Sequence, residues 1–144
     1  MATIIVSRIH GEYGFEATDQ SGKQIHMDTS PDHGGDNFGA RPMQALLMAL
    51  GGCSGIDIVS IMKKQRQELI GLTLKIEGER EKDKVPALWE KVHVSFIMTG
   101  NIDMEKAKYA AALSIDKYCS VAETLRRAGC AITWDVTVNE LTGA

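Results

Sequence analysis

The segment from Pro42 to about Gln67 constrains this chain more than any other. Proline suits the first helical position, and the run closes on Lys63, Lys64 and Arg66, cations matched to the negative end of a helix. Between these markers Ala45, Leu46, Leu47, Met48, Ala49 and Leu50 follow one another without a polar stripe. A helix that is apolar on every side must be enclosed rather than laid on one sheet. The chain has 144 residues, 44% of them hydrophobic, which is the composition of one globular domain spanning residues 1–144. A domain of that size can hardly enclose such a helix by itself. The apolar stretch Ala45 to Met62 is broken by Gly51, Gly52, Gly55 and Asp57 and falls short of a comfortable membrane span of about 20 residues. It reads as a long buried central helix, with no membrane as partner.

The flanking patterns supply sheets. Thr3 to Ile9, Tyr13 to Thr18 and Lys23 to Asp28 form a strand meander with a turn at Asp19 to Gly22, followed by a polar, Gly-rich loop over residues 29–41. That loop has no periodicity and is expected over a surface or a site mouth. Beyond the helix, Ile70, Leu72, Leu74 and Ile76 alternate with polar residues and Gly71, as do Val92, Val94, Phe96 and Met98 with their own neighbours. The Glu79 to Lys84 charge run reads as the solvated loop between these two strands. Asp103 caps a helix from Met104 to about Lys117, and Ser120-Val-Ala-Glu123 has the form of a capping box for a second one. Cys130, Ile132, Trp134, Val136 and Val138 share one face of a closing strand. The expected order is βββ-α-ββ-α-α-β, an α+β domain.

Sixteen Lys and Arg against nineteen Asp and Glu give a net charge of -3, without the basic surplus that binding a phosphate backbone requires, so nucleic acid is not expected as a partner. The first residues lack the basic region and long apolar core of a secretory leader, which points to the cytoplasm. Three cysteines are too few and too odd in number for a disulfide framework.

Each thiol has a different setting. Cys130 lies in phase with four large hydrophobes and reads as core. Cys119 precedes Ser120, the expected N-cap, where unpaired N–H groups favour a thiolate; a plain buried thiol is the competing reading. Cys53 lies eleven residues beyond Pro42, about 16 Å along the helix, out of reach of the helix N-terminus. Burial disfavours its anion and Asp57, one turn on, would repel it, so reactivity at Cys53 needs a cation or donor from elsewhere. Gly51, Gly52 and Gly55 clear space around the sulfur, either for close helix packing or for a substrate.

The stretch Pro42-Met-Gln-Ala-Leu-Leu-Met-Ala-Leu-Gly-Gly-Cys-Ser-Gly-Ile-Asp-Ile-Val-Ser-Ile-Met-Lys-Lys64, followed by Lys117-Tyr-Cys-Ser-Val121 and Gly129-Cys-Ala-Ile-Thr-Trp134, resembles the OsmC/Ohr family over nearly the whole chain. The resemblance implies an intertwined homodimer with long central helices buried between sheets. It also implies thiol-dependent reduction of organic hydroperoxides in the response to oxidative stress. Cys53 takes the place of the peroxidatic cysteine and Cys119 that of the resolving one, with a thiol or dithiol as reductant and no cofactor. In the well-characterised peroxidases of the family a glutamate stands ten residues before the first cysteine and pairs with an arginine; here that position is Met43. Gln44 beside it offers hydrogen bonds without charge, and Arg8 and Arg41 are the candidate cations. The departure at Met43 favours a second reading, a non-catalytic protein that holds a small hydrophobic ligand in the family's interface pocket. His10, His26, His33 and His93 have no metal-ligand spacing, and no metal is assigned.

Overall fold

The computed structural model describes residues 1–141. They divide into two compact units, Met1–Leu46 and a larger one beginning at Leu47.

In the smaller unit, β1 (Ile5–His10), β2 (Gly14–Thr18) and β3 (Gln24–Met27) form an antiparallel meander in sequence order. Asp19 fixes the second turn, its Oδ1 accepting from the N–H groups of Ser21 and Lys23. The loop that looked featureless in sequence is a closed structure. Its end returns to β3, with Ala40 N–H donating to the His26 carbonyl and Asp28 N–H to that of Ala40. The buried Asp28 carboxylate accepts the N–H groups of Thr29, Asp36 and Phe38 at 2.8, 3.0 and 3.2 Å. The Phe38 ring stacks between His10 and His26, at centroid distances of 4.7 and 4.4 Å, and His10 Nε2 lies 2.6 Å from Asp36 Oδ2. One carboxylate and one ring thus supply what periodicity does not.

The long helix α1 (Pro42–Lys64) continues into the larger unit, ending three residues earlier than its pattern suggested. There β4 (Glu68–Arg80) and β5 (Trp89–Asn101) form an antiparallel hairpin, and β6 (Ala131–Asn139) pairs parallel to β5. Parallel pairing demands a crossover. It is made by α2 (Met104–Leu113), a π-helical turn (Ser114–Tyr118) and α3 (Ser120–Arg127). The helical pattern foresaw one helix to Lys117, whereas the regular α ladder stops at Leu113. With these additions the observed order is the expected βββ-α-ββ-α-α-β. Val92, Val94, Phe96 and Met98 of β5 form the centre of the core with Leu50, Ile58 and Met62 of α1 and Ala107, Ala110 and Ala111 of α2.

Two expectations change. Leu69 pairs with Gly100 and Gly71 with Thr99, so Ile70 is the extra residue of a bulge. It is 58% exposed, and Leu69 packs on the core in its place. Strict alternation had put Ile70 on the inner face. Helix α1 is also less enclosed than its composition demands. Leu50, Ser54, Ile58, Ile61 and Met62 are buried, while Met48 and Ile56 are 60% and 69% exposed. At 23 residues, about 34 Å, it is long and apolar enough to cross a membrane by length and composition, contrary to the reading from its interrupted stretch. Its buried face instead meets β4. A Cβ on Gly51 would lie 2.9 Å from Ile76 Cδ1, so close packing accounts for that glycine, whereas the same atom on Gly52 would meet nothing within 4 Å.

The N–H of Asp36 first, then those of Phe38 and Thr29, hold the Asp28 carboxyl below its ordinary value of 3.8, against the opposing effect of burial. Because the folded value is the lower one, the loop gains stability above the ordinary aspartate range and loses it as pH falls through the folded value. Hydrogen-exchange protection factors of the Asp36 and Phe38 amides, taken relative to the intrinsic rate at each pH, should fall on acidification. Asp28→Asn should weaken their protection already at neutral pH and flatten this acid dependence.

Candidate active site

Helix α1 presents Cys53 and Asp57 one turn apart on one face, with Ser54 beside them. The opposite wall comes from the π turn. Ser114 begins it, and Cys119 N–H closes it by donating to the Ser114 carbonyl at 2.8 Å, five residues back. Cys119 then serves as the N-cap of α3, its sulfur accepting the Ala122 N–H at 3.4 Å. The cap is therefore one residue earlier than the Ser120 capping box implied. Glu123, which that box would turn back to the cap, is held by Arg126 and Arg127.

The two walls are joined by buried hydroxyls. Ser54 Oγ and Ser114 Oγ are 2.6 Å apart, and Ser114 Oγ donates to Asp57 Oδ2 at 3.0 Å. A carboxylate only accepts, so the single Ser114 proton goes to Asp57 and Ser54 donates to Ser114. This chain brings together residues far apart in sequence: the sulfurs of Cys53 and Cys119 and a carboxylate oxygen of Asp57 all lie within 4.8 Å of one another. Cys53 and Cys119 are free thiols, the first half-buried and the second 2% exposed.

The environment of Cys119 reverses the effect expected of its helix end. Burial is the largest influence and pushes the thiol from 9.0 up to about 11; the Ala122 N–H opposes it, the Cys53 sulfur pushes further up through hydrogen bonding and charge, and the Val121 N–H opposes more weakly. Desolvation outweighs the helix N-terminus. Cys119 therefore keeps its proton. Cys130 is also buried, which pushes its thiol up, and it sits among core residues outside the cluster.

The other sequence candidates have these settings. Arg8 and Arg41 are exposed residues of the smaller unit, and neither guanidinium makes an ion pair among the described residues. Met43 is half-buried on the first turn of α1. His10, His26, His33 and His93 bond to Asp36, Glu16, Ser30 and Thr133. Two thiols and a carboxylate are donors that thiophilic metals use, but three are one short of a closed tetrahedral site, and we assign no metal to them. Sequence reasoning weighed Asp57 only as a repulsive neighbour, although its spacing of four from Cys53 placed it on the same face. Ser114 carried no signal, because a π turn cannot be read from periodicity.

The family model for OsmC-like protein matches residues 33–135. The chain belongs to the OsmC-like family. Protein YhfA of Escherichia coli (strain K12) is 44% identical to it over 110 residues, 75% of this chain and 78% of that protein. Among solved structures, a hypothetical protein from Aquifex aeolicus VF5 superposes with a TM-score of 0.79 at 26% identity, covering 96% of this chain and 98% of the other. An organic hydroperoxide resistance protein OsmC from Legionella pneumophila superposes with a TM-score of 0.72 at 15% identity, covering 96% and 97%. At that identity the likeness is one of fold. The βββ-α-ββ-α-α-β arrangement of this OsmC-like chain is thus the family fold, with Cys53 on its long helix and Cys119 at the start of its last one.

The unequal settings of the two thiols have a direct readout. In reduced protein, iodoacetamide followed by peptide mass mapping should modify Cys53 well before Cys119. Cys119 should stay resistant near pH 9, where an ordinary cysteine is already half ionised. Ser114→Ala should cost about 1–3 kcal/mol in urea unfolding, since it strips the buried Ser54 hydroxyl and the Asp57 carboxylate of their shared partner.

Proposed function

We propose that this OsmC-like protein is a thiol-dependent peroxidase that reduces organic hydroperoxides in the cytoplasm, with Cys53 as the attacking sulfur and Cys119 as the resolving one. The observation that carries this reading is the approach of the two sulfurs to within 4.8 Å in a site where one is half-buried and the other sealed. A peroxide can reach Cys53 but not Cys119. The chemistry follows from that asymmetry. The Cys53 thiolate attacks the distal oxygen, the O–O bond breaks, the sulfur is oxidised by two electrons to a sulfenic acid, and the alkoxide takes a proton and leaves as an alcohol. Cys119 then condenses with the sulfenic acid, forming the S–S bond and releasing water. An external thiol or dithiol returns both sulfurs to the reduced state by exchange. The name of the Legionella structure, an organic hydroperoxide resistance protein, agrees with this chemistry.

The working form in this proposal is a homodimer. Met48, Ile56 and Val59 stay exposed along the most apolar helix of the chain, at 60%, 69% and 41%. An apolar face of this kind on a family fold built around a central helix is the surface a second copy would cover. The competing reading, a protein that binds a small hydrophobic ligand without turnover, is favoured by Met43 at the position where peroxidases of the family carry a glutamate.

The fate of the thiols decides between them. Reduced protein mixed with cumene hydroperoxide should lose two thiols and form an intramolecular disulfide seen by mass. Cys119→Ser should stop at a sulfenic acid that dimedone traps, and Cys53→Ser should lose at least 100-fold in hydroperoxide consumption. A Cys53 thiol that survives the exposure would leave only the ligand-binding reading. Light scattering should give the mass of two chains, and Ile56→Lys should shift it toward one.

A further inference from the structure

Asp57 is the part of this site that the two-cysteine chemistry leaves unused. Its carboxylate oxygen lies within 4.8 Å of both sulfurs, and it has no ion-pair partner among the described residues. Its one side-chain hydrogen bond comes from Ser114, whose own oxygen accepts from Ser54. Ser54 and Ser114 are both fully buried. Asp57 itself is half-buried, its carboxylate held by a buried hydroxyl. The Ser114 hydroxyl engages Oδ2, and the carboxylate keeps further lone pairs within a cluster that also holds both sulfurs.

The resolving step needs a group of this kind. Cys119 must attack as a thiolate or lose its proton as it attacks. In the reduced pair it holds that proton up to about 11, and burial, the largest cause, persists when Cys53 is oxidised, so Cys119 enters the step protonated. The cluster of His, Cys, Asp and Glu side chains here consists of Cys53, Asp57 and Cys119, with no imidazole among them. The carboxylate of Asp57 is the base that the cluster contains.

We propose that Asp57 is the proton acceptor of the resolving step. As the Cys119 sulfur attacks the Cys53 sulfenic acid, the S–H bond of Cys119 breaks and its proton passes to Asp57. The S–S bond forms, the S–O bond of Cys53 breaks, and Asp57 returns the proton to the departing hydroxide, which leaves as water. Cys119 is oxidised by one level and Cys53 reduced by one, and the carboxylate ends as it began. The proposal rests on the peroxidase reading and adds a residue to it.

Single-turnover mixing with cumene hydroperoxide separates the two. Dimedone capture reports the sulfenic acid and mass reports the disulfide, for wild type, Asp57→Asn and Asp57→Glu. The Asn variant should form sulfenic acid at least as fast as wild type, because it removes the charge that opposes the Cys53 thiolate, and then close the disulfide at least 100-fold more slowly, the span of a lost general base. The Glu variant should recover much of that rate. Formate added to Asp57→Ala should speed closure, a rescue that a structural role would not show. The residual rate of Asp57→Asn should also rise with pH in proportion to the Cys119 thiolate, and that of wild type more shallowly. Disulfide closure at the wild-type rate in a folded Asn variant overturns the relay and leaves the peroxidase reading intact. A wild-type closing rate that itself tracks the thiolate fraction overturns it without any variant. Failure of wild type to form sulfenic acid or disulfide overturns both.

Discussion

The hydrogen bond between Ser54 and Ser114, with its extension to Asp57, is the contact on which the cluster depends. Helix α1 and the π turn come from segments sixty residues apart, and these hydroxyls are the polar link between them at the level of the sulfurs. Each is fully buried, so each must find a partner, and the geometry that satisfies both also sets the separation of the thiols. The extra residue of the π turn belongs to the same solution. It holds the buried Ser114, lets the Cys119 N–H return to the Ser114 carbonyl, and leaves Cys119 as the N-cap of α3.

Helix α1 answers two opposed demands. Toward β4 it is thinned at Gly51, so that the backbone approaches Ile76, and it buries Ser54 and Ile58. Along its other side it keeps Met48 and Ile56 in the open. The same helix that supplies Cys53 therefore also supplies an exposed apolar surface, so the proposed association there and access to the sulfur would be properties of one element.

Much of this architecture was legible in the residues. Element order, the Asp103 cap and the inward face of β6 follow from period, capping chemistry and alternation, which are local. What escaped was non-local or compensatory. The bulge at Ile70 depends on the ladder with Gly100 and Thr99, which alternation within one strand does not encode. The parallel pairing of β5 with β6 depends on a crossover, and the closed form of residues 29–41 on one buried carboxylate. For the site, both sulfurs and their chain positions could be named, but the balance at Cys119 could not. A helix N-terminus lowers a thiol and burial raises it, and only the fold says which is larger. Ser114 had no sequence signature at all.

The sixty-residue separation between the two serines also has a temporal meaning. During synthesis the segment bearing Cys53 leaves the ribosome well before the one bearing Ser114 and Cys119, and β6, which seals the crossover by lying parallel to β5, emerges last. Contacts of such long range form late in folding. A nascent chain therefore carries its first sulfur for a time without the second beside it. An oxidant met in that interval would find a thiol with no neighbour to close on, and oxidation carried past the sulfenic acid would outlast the finished fold.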